Sequence, residues 1–380
     1  MKAKQSKSKI QISNVESLDQ EFRFTLSNIE TPYANALRRV ILTEIPINVV
    51  RTESEEINQA RFEYNTSRLH NEILKQRLSS IPIHNKALEK LAGKYTIECD
   101  VENKTDQILY VTTEDFQLKN KETGQFMGKE ETRRIFPADP ITHRYIDFCR
   151  LRPKISDTIL GEKVKFSADI SIATAKENCM FNVVSKCTYR NTPDPDAIQK
   201  EWEKREIALR EQYTAITAEE VQFEKRNFEY LDAERFFVPD SFDFTIQSIG
   251  IYEEEELVKK ACMVLHNKMV DFIKALADNE VPIQVSETSM DNCFDVVLVN
   301  EDYTMGKILE HVLYEMYWDV KDPAKKRLNY CAFKKYHPHF TESVIRLGFV
   351  EGVKKEQVRY VMKEAAVVAQ EKVKEMYDLF

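Results

Sequence analysis

A strand, a turn and an amphipathic helix occur twice in this chain, and the repetition limits the folds it can adopt. Residues 22–40 align without a gap on residues 294–312, with five identities in 19 positions. The identical pairs are Phe22/Phe294, Leu26/Leu298, Asn28/Asn300, Leu37/Leu309 and Val40/Val312. Each copy has an apolar helix face that it cannot bury alone. We therefore expect the two copies to pack against each other about a pseudo-two-fold axis.

The helix of the first copy begins at a clear start signal. Thr31 is a good N-cap and Pro32 suits the first helical position. Apolar residues then recur at the spacing of one helix face, at Tyr33, Ala36, Leu37, Val40 and Ile41. The polar residues Asn35, Arg38 and Arg39 point elsewhere. Taken alone, this pattern fits an ordinary core helix as well as an interface helix.

The two copies lie within a mixed pattern of strands and long helices. Alternating or apolar runs predict strands at 22–26, 242–249, 294–299, 328–333 and 342–349. Helical spacing predicts a short helix capped by Thr66 or Ser67 and long helices at 253–278, 304–318 and 354–377. Residues 197–212 predict a solvated surface helix, because Ile198, Trp202 and Leu209 are its only spaced apolar residues.

Residues 85–175 differ in sequence pattern from the rest of the chain. Short strand-like runs alternate there with polar segments that contain Gly and Pro, which is typical of a β-rich domain. The sequence thus predicts an α+β protein with this domain inserted into the first one. The predicted domains are 1–84 with 176–279, the insert 85–175, and a second domain at 280–380.

Composition excludes several classes of function. The net charge of −8 argues against a free-standing nucleic-acid binder. The eight glycines have no P-loop or dinucleotide-binding spacing, and the seven cysteines never form C-x-x-C. Reduced thiols in an intracellular protein fit this usage. No apolar run approaches the ~20 residues of a membrane span. The lysine-rich residues 1–9 predict a frayed tail, with nucleic-acid contact as the lesser alternative.

The chain contains no convincing catalytic constellation. His337-Pro-His339 has neither a nearby Cys nor paired carboxylates, so a turn at a strand end explains it better than a metal site. The acidic neighbours Asp291, Asp295, Glu301 and Asp302 form no paired arrangement, and Asp302 fits the start of a helix. We therefore predict no catalytic residue, no cofactor and no metal.

Four motifs resemble one family. Residues 34–39 (A-N-A-L-R-R) are similar to the first helix of the alpha-like subunits of multisubunit RNA polymerases. Residues 65–67 (N-T-S) and 76–83 resemble the family's N-T-S…R-L-G-L-I-P signature, with Ser79-Ser80 in place of Gly-Leu. Residues 300–306 (N-E-D-Y-T-M-G) and 336–338 (Y-H-P, shortened from Y-x-x-H-P) resemble the smaller partner subunit.

In eukaryotic polymerase II, the two resembling pieces are separate chains: the third-largest subunit and its small dimerisation partner. Here they lie in one chain, an arrangement known from large DNA viruses of eukaryotes. The resemblance implies two copies of the alpha-subunit dimerisation fold, a sheet packed on long helices, with the β-rich insert. Many cellular relatives hold a metal with a cysteine cluster in the insert, but this insert has only Cys99 and Cys149. We therefore do not expect this insert to hold that metal.

The function implied by the resemblance is a non-catalytic assembly platform of a DNA-directed RNA polymerase. The built-in pair would bind the two largest subunits and small zinc-bearing subunits, with no membrane and little or no nucleic-acid contact. An intracellular location follows: the host cytoplasm (viral factory) and virion for a viral protein, with the nucleus as alternative. A stand-alone dimeric transcription adaptor is the competing function.

The resemblance also selects interface residues. Two outward-facing arginines, Arg38 and Arg39, are the first candidates for docking the second-largest subunit, because guanidinium groups bind carboxylates and carbonyls. Ordinary surface arginines are the alternative. The full predicted interface set is Asn35, Leu37, Arg38, Arg39, Val40, Ile41, Arg77, Leu309, Val312 and Leu313.

Overall fold

The computed structural model describes residues 9–18, 21–156, 158–213, 216–287 and 290–380. Most of the lysine-rich tail predicted at 1–9 lies outside these residues. The chain divides into two compact units. The first unit comprises 1–40, 186–247 and 258–380, and the second comprises 41–185 and 248–257. No helix in the described ranges is long and apolar enough to cross a membrane.

The element order is mixed α and β, which confirms the predicted α+β class. The strands are β1 (Gln11–Leu18), β2 (Glu21–Ser27), β3 (Ile47–Val49), β4 (Ala60–Asn65), β5 (Tyr95–Glu102), β6 (Leu109–Thr112), β7 (Gln117–Asn120), β8 (Asp147–Leu151), β9 (Lys163–Asp169), β10 (Ser171–Ala173), β11 (Val184–Pro193), β12 (Phe237–Ser248), β13 (Ile283–Val285), β14 (Cys293–Val299), β15 (Leu328–Lys334) and β16 (Glu342–Phe349). The α-helices are α1 (Thr31–Thr43), α2 (Asn71–Ser79), α3 (Leu88–Leu91), α4 (Lys129–Ile135), α5 (Pro195–Gln212), α6 (Ala218–Leu231), α7 (Glu254–Ala277), α8 (Tyr303–Leu313) and α9 (Lys355–Tyr377).

Two four-stranded sheets of the first unit have the same strand order. One runs β1-β2-β12-β11 and the other β13-β14-β16-β15, so each places its first, second, fourth and third strand side by side. The central pairs also share a register. Phe24 faces Phe244 in one sheet, and Val296 faces Ile345 in the other. Phe24 and Val296 are aligned in the two sequence copies. Their partners also correspond, because Phe244 lies ten residues before the start of α7 and Ile345 ten residues before the start of α9.

The turn between strand and helix is also the same in both copies. Asn28 ends one strand with φ of 62°, and Asn300 ends the other with φ of 58°. Both residues thus adopt the left-handed conformation, which Asn tolerates better than most residues with a side chain. The identity of Asn28 and Asn300 in the alignment therefore has a local conformational cause.

The long helices bury the faces that their spacing predicts, with small departures. In α1 the side chains of Tyr33 and Leu37 are buried, and the helix already begins at Thr31. In α9 Val368 is exposed and Ala366 is buried instead. Helix α8 ends at Leu313, not at Trp318 as predicted. Residues 314–318 continue as a π-helical turn, in which the Asp319 amide donates to the Tyr314 carbonyl.

Helix α5 is largely exposed, as its charge pattern predicted, but one of its faces is covered. It packs against α6, which the sequence analysis did not predict. Trp202 of α5 is 4 % exposed, and its ring lies 5.8 Å from that of Phe228 of α6. A few large side chains on each helix are enough to bury one another, although the charged residues dominate the helix composition.

The second unit is β-rich and larger than the predicted insert. Its main sheet has the order β4-β9-β5-β7, and β6 pairs with β8. Phe116, Phe148 and Phe166 contact one another in its core, with ring centroids 5.1 to 5.5 Å apart. Strand β4 precedes residue 85 yet pairs with β9 throughout its length. The short helices α3 and α4 were not predicted.

The N-T-S motif forms a turn and does not cap a helix directly. The Asn65 side chain donates to the Leu69 carbonyl at 2.7 Å and accepts from the amide and hydroxyl of Ser67. This network closes a loop, so α2 starts at Asn71 with His70 as its N-cap. The prediction that Thr66 or Ser67 caps the helix was therefore wrong, because Asn65 uses its side chain to hold the intervening residues.

Candidate assembly interface

The apolar members of the predicted interface are core residues. Each is at most 4 % exposed in the folded chain: Leu37, Val40, Ile41, Leu309, Val312 and Leu313. Those of α8 belong to a helix that packs on α9, β15 and β16. Because they are buried, these side chains are not available to another subunit, and only the polar members of the set remain as docking candidates.

Arg39 binds within the chain, at the start of α8. Its Nη2 lies 2.6 Å from Asp302 Oδ2, and its Nε donates to Thr304 Oγ1 at 2.8 Å. Asp302 is also the N-cap of α8, since it accepts from the Thr304 amide at 2.8 Å, which confirms its predicted role at a helix start. The guanidinium of α1 is therefore held by two residues from the first turn of α8.

Further charged contacts join the N-terminal half of the first unit to residues 280–380. Lys268 of α7 lies 3.0 Å from Glu301, and each side chain is 19 % exposed. Lys372 of α9 pairs closely with Glu30, directly before α1. Because these pairs are partly shielded from water, salt screens them less than it screens fully exposed ion pairs. None of these partners was identified from the sequence, since long-range pairs leave no local pattern.

The C-terminal residues contribute further contacts to the same junction. The Ile10 amide donates to Glu375 Oε1 at 3.0 Å. The ring of Phe380 packs edge-on against Phe24, with 5.1 Å between centroids. Gln370 of α9 and His266 of α7 approach to 3.0 Å between side-chain nitrogens. The C-terminal helix is thereby tied to β2 and α7.

Arg38 and Asn35 line an open groove and are only partly buried. Both the Nε and the Nη2 of Arg38 donate to Asn35 Oδ1, at 3.2 and 2.9 Å. The groove has a volume of about 580 Å³ and is also lined by Tyr189, Arg190 and Glu234. Arg38 thus presents a preorganised guanidinium beside a second arginine, an arrangement that suits carboxylate or carbonyl groups.

Arg77 lies in the second unit, on α2. Its Nη2 donates to the Asp147 carbonyl at 2.6 Å. A groove of about 530 Å³ opens beside it, lined also by Gln76, Ile146 and Met180. The predicted set of interface residues is therefore distributed over both compact units.

One partly exposed polar cluster was not anticipated from the sequence. Tyr317 of the π-helical turn and Tyr360 of α9 both donate to the Glu364 carboxylate. These two bonds lower the pKa of Glu364, that of Tyr317 having the larger effect. The spacing of Tyr360 and Glu364, four residues apart in a helix, is the one local signal that could have indicated half of this cluster.

The residues considered for metal or catalysis have structural roles here. Pro338 and His339 form the turn between β15 and β16, as predicted, with the His339 amide donating to His337 Nδ1. Burial raises the pKa of the Cys149 thiol to about 12 and also raises that of Cys99. Burial thus favours the neutral thiol form of both residues.

Comparison with known proteins places the chain in a family. Residues 23–269, about two thirds of the chain, match the family described as RNA polymerase Rpb3/Rpb11 dimerisation domain. The match covers β2, α1, the β-rich unit and most of α7, and it ends before β13. Residues 280–380 lie beyond it.

Individual relatives are named as subunits of DNA-directed RNA polymerases. Subunit Rpo3 of the DNA-directed RNA polymerase of Thermococcus kodakarensis is 25% identical over 285 residues, covering 70% of this chain and 98% of that protein. Subunit RPB3 of DNA-directed RNA polymerase II of Schizosaccharomyces pombe is 27% identical over 289 residues, covering 70% and 87%. Subunit RPAC1 of polymerases I and III of Saccharomyces cerevisiae is 23% identical over 292 residues, covering 67% and 84%. The chain therefore belongs to the Rpb3/Rpb11 dimerisation-domain family of RNA polymerase subunits.

Proposed function

We propose that the chain is a non-catalytic, alpha-like assembly subunit of a multisubunit DNA-directed RNA polymerase. The observation that carries this conclusion is the family match over residues 23–269, with relatives named as polymerase subunit 3 aligned over most of their length. The described residues that could have suggested chemistry serve turns, caps and ion pairs instead. The role of the chain is to hold other subunits together.

The finer proposal is that this chain contains both members of the alpha-like pair. Residues 280–380 then represent the small partner, following a first domain (1–84 with 176–279) and its insert (85–175). The shared strand order, the shared register and the left-handed asparagines Asn28 and Asn300 support two copies of one fold. A fused pair of this kind also supports a viral origin, with the virion and cytoplasmic factory as locations; an intracellular location applies in either case.

Burial is the main source of stability for such a pair. The apolar side chains that both helices bury each contribute roughly 1.5–3 kcal/mol. The partly exposed ion pairs, such as that of Arg39 with Asp302, each contribute about 1 kcal/mol or less and mainly fix the orientation. The covalent link gives the second copy an effective concentration on the order of mM. Pairing therefore requires no free partner.

The docking proposal concerns the two grooves. Asn35 and Arg38 in the first unit and Arg77 in the second are the residues we assign to contacts with the two largest subunits. Their guanidinium groups are held in place by neighbours within the chain, which lowers the entropy lost on binding. Small zinc-bearing subunits are further partners. Direct nucleic-acid contact is not part of the proposed role, since the net charge is −8.

Co-purification tests both levels of the proposal. The full chain, tagged and co-expressed with the two largest subunits of its polymerase, should recover both in near-stoichiometric amounts. Arg38→Glu should reduce recovery at least tenfold while the variant stays folded by circular dichroism. Arg210→Glu is the control, because Arg210 is an exposed arginine of α5 bound by Glu206 in its own helix. A chain that elutes only as a homodimer without large subunits would instead be the stand-alone adaptor.

A further inference from the structure

Three side chains with metal-binding atoms converge in the first unit. Glu30 precedes α1, His311 lies in the last turn of α8, and Glu315 follows in the π-helical turn. One ligand atom from each lies within 4.8 Å of the other two, and His311 Nε2 is 3.8 Å from Glu315 Oε1. We propose that Glu30, His311 and Glu315 bind a divalent transition-metal ion, with Zn²⁺ the best match.

Two buried polar atoms at this place lack a protein partner. Among the described residues, neither His311 Nε2 nor the Tyr33 hydroxyl has a hydrogen-bond partner, and both atoms are shielded from solvent. The Tyr33 side chain is 1 % exposed, and after burial the charges of Glu30 and Glu315 are what raise its pKa most. A buried hydroxyl or imidazole nitrogen without a partner is costly. An ion with a bound water would satisfy both atoms.

The charge of the cluster also favours a cation. Asp240 of β12 is close enough for Glu30 to raise its pKa, after the larger effect of burial, and for Lys372 to lower it. Glu30, Glu315 and Asp240 thus bring three carboxyl groups to the place where Lys372 pairs with Glu30. A divalent cation would offset the negative charge of these carboxylates.

The ligand chemistry selects the metal. One imidazole and two carboxylates suit Zn²⁺, Mn²⁺ or Fe²⁺, and they bind Ca²⁺ or Mg²⁺ poorly because those ions prefer oxygen ligands alone. Three protein ligands leave a fourth position of Zn²⁺ for water. In a tetrahedral site the ligand atoms lie about 3.3 Å apart, so small side-chain rotations would close the cluster.

The position of the site gives it a structural role. Glu30 and His311 come from the two sequence copies, and each aligns with one partner of the Arg39–Asp302 contact: Asp302 with Glu30 and His311 with Arg39. The metal would therefore join Glu30 to His311, whereas at the corresponding positions Arg39 and Asp302 form an ion pair directly. This structural role rests on the proposed pairing of two copies within one chain. Metal binding itself can be tested without a polymerase.

Metal titration of the full chain, with any affinity tag removed, tests the proposal. The chelator-treated protein should bind one Co²⁺ with visible d–d absorption of a low-coordinate site, and Zn²⁺ should displace it. His311→Asn and Glu315→Gln should each weaken binding at least roughly tenfold. Zn²⁺ should also raise the melting temperature of the unchanged chain, because it binds the folded state.

His70→Asn is the matched control. His70 is exposed and lies 2.7 Å from Glu72, so it reports adventitious binding at a surface His–Glu pair. This variant should keep full affinity and the same absorption. Substoichiometric binding by the unchanged chain, unaltered affinity in both site variants, or an equal loss in His70→Asn would overturn the metal site. Any of these results would leave the polymerase assignment in place.

Discussion

At the scale of single residues, two adjacent arginines have different roles. The sequence analysis treated Arg38 and Arg39 alike, because both point away from the apolar face of α1. In the structure Arg39 binds Asp302 and Thr304, whereas Arg38 is held by Asn35 beside an open groove. Helical spacing predicts which face a residue lies on but not what occupies that face, since Asp302 is 263 positions away.

Removing the Arg39 side chain should therefore lower the stability of the folded chain, in addition to any effect on docking. Arg39→Ala loses two charge-assisted hydrogen bonds at a partly exposed position, and we expect the free energy of unfolding to fall by about 1–2 kcal/mol. Urea denaturation followed by circular dichroism measures this change. Arg210→Ala, which removes an exposed pair within one helix, should change stability by less than about 0.5 kcal/mol. Equal effects of the two substitutions would contradict the assigned role of Arg39.

Glu364 makes a second residue-scale prediction, on pH. Its pKa in the folded chain is lowered from 4.5 by the Tyr317 and Tyr360 hydroxyls. A lowered pKa means that the ionised carboxylate stabilises the folded state above pH 4.5, and that this contribution is lost as the pH falls through the folded-state pKa. The double substitution of Tyr317 and Tyr360 by Phe should therefore destabilise the chain at neutral pH and have less effect in acid.

Urea denaturation of both proteins at a series of pH values measures this dependence. The difference in unfolding free energy should be constant near neutrality and shrink below pH 4.5. Tyr230→Phe, at an exposed tyrosine of α6, is the control and should show no such dependence. A difference that stays constant down to low pH would mean that the two hydroxyls do not act through the Glu364 charge.

At the scale of secondary-structure elements, long helices with a continuous apolar face were predicted better than helices composed mainly of charged residues. Helices α7 and α9 match their predicted ranges within one residue at each end. Helix α6 and its packing against α5 were missed, because the apolar residues that hold these helices together are few and belong to two different helices. The end of α8 was misplaced, since the chain continues through residues 314–318 as a π-helical turn and five residues are too few for apolar spacing to reveal the change.

Gly306 shows how closely α8 approaches its sheet. A Cβ atom at this position would lie 2.1 Å from Cε2 of Phe333, whose ring is buried on β15. Gly306→Ala should therefore force the ring or the helix to shift, at a cost of about 1–3 kcal/mol in unfolding free energy. Thermal or urea unfolding measures the loss. Gly352→Ala, where the added methyl would meet only an ordinary contact, should change stability little.

The same test has a second arm. Phe333→Leu in the Gly306→Ala background should recover part of the lost stability, because the smaller side chain leaves room for the methyl group. Additive losses in the double variant would indicate that the cost of Gly306→Ala arises elsewhere, for example in the backbone of the helix.

At the scale of the whole molecule, the repeat was the most informative feature of the sequence. It predicted two related strand-and-helix units, and the structure places two sheets of equal strand order in one compact unit. The extent of the β-rich unit was underestimated, because strand β4 is joined to it by long-range pairing with β9 and not by any local signal. The Glu30–His311–Glu315 cluster was missed for the same reason, since its members come from distant parts of the chain.

The central claim is that both halves of an alpha-like pair associate within one chain. A protease site inserted between Asn279 and Glu280, in the exposed connection after α7, allows the halves to be separated covalently without touching either core. Light scattering after size exclusion, before and after cleavage, then reports their association. In a variant that combines Arg39→Glu with Lys268→Glu, the cut halves should dissociate more readily. Arg39→Glu places a carboxylate beside Asp302, and Lys268→Glu places one beside Glu301.

We predict that the cleaved fragments 1–279 and 280–380 co-elute at the mass of the uncut chain, 44.5 kDa. Fragments that separate on cleavage, or an uncut chain that elutes at twice this mass through pairing of halves between two chains, would contradict the intramolecular pair.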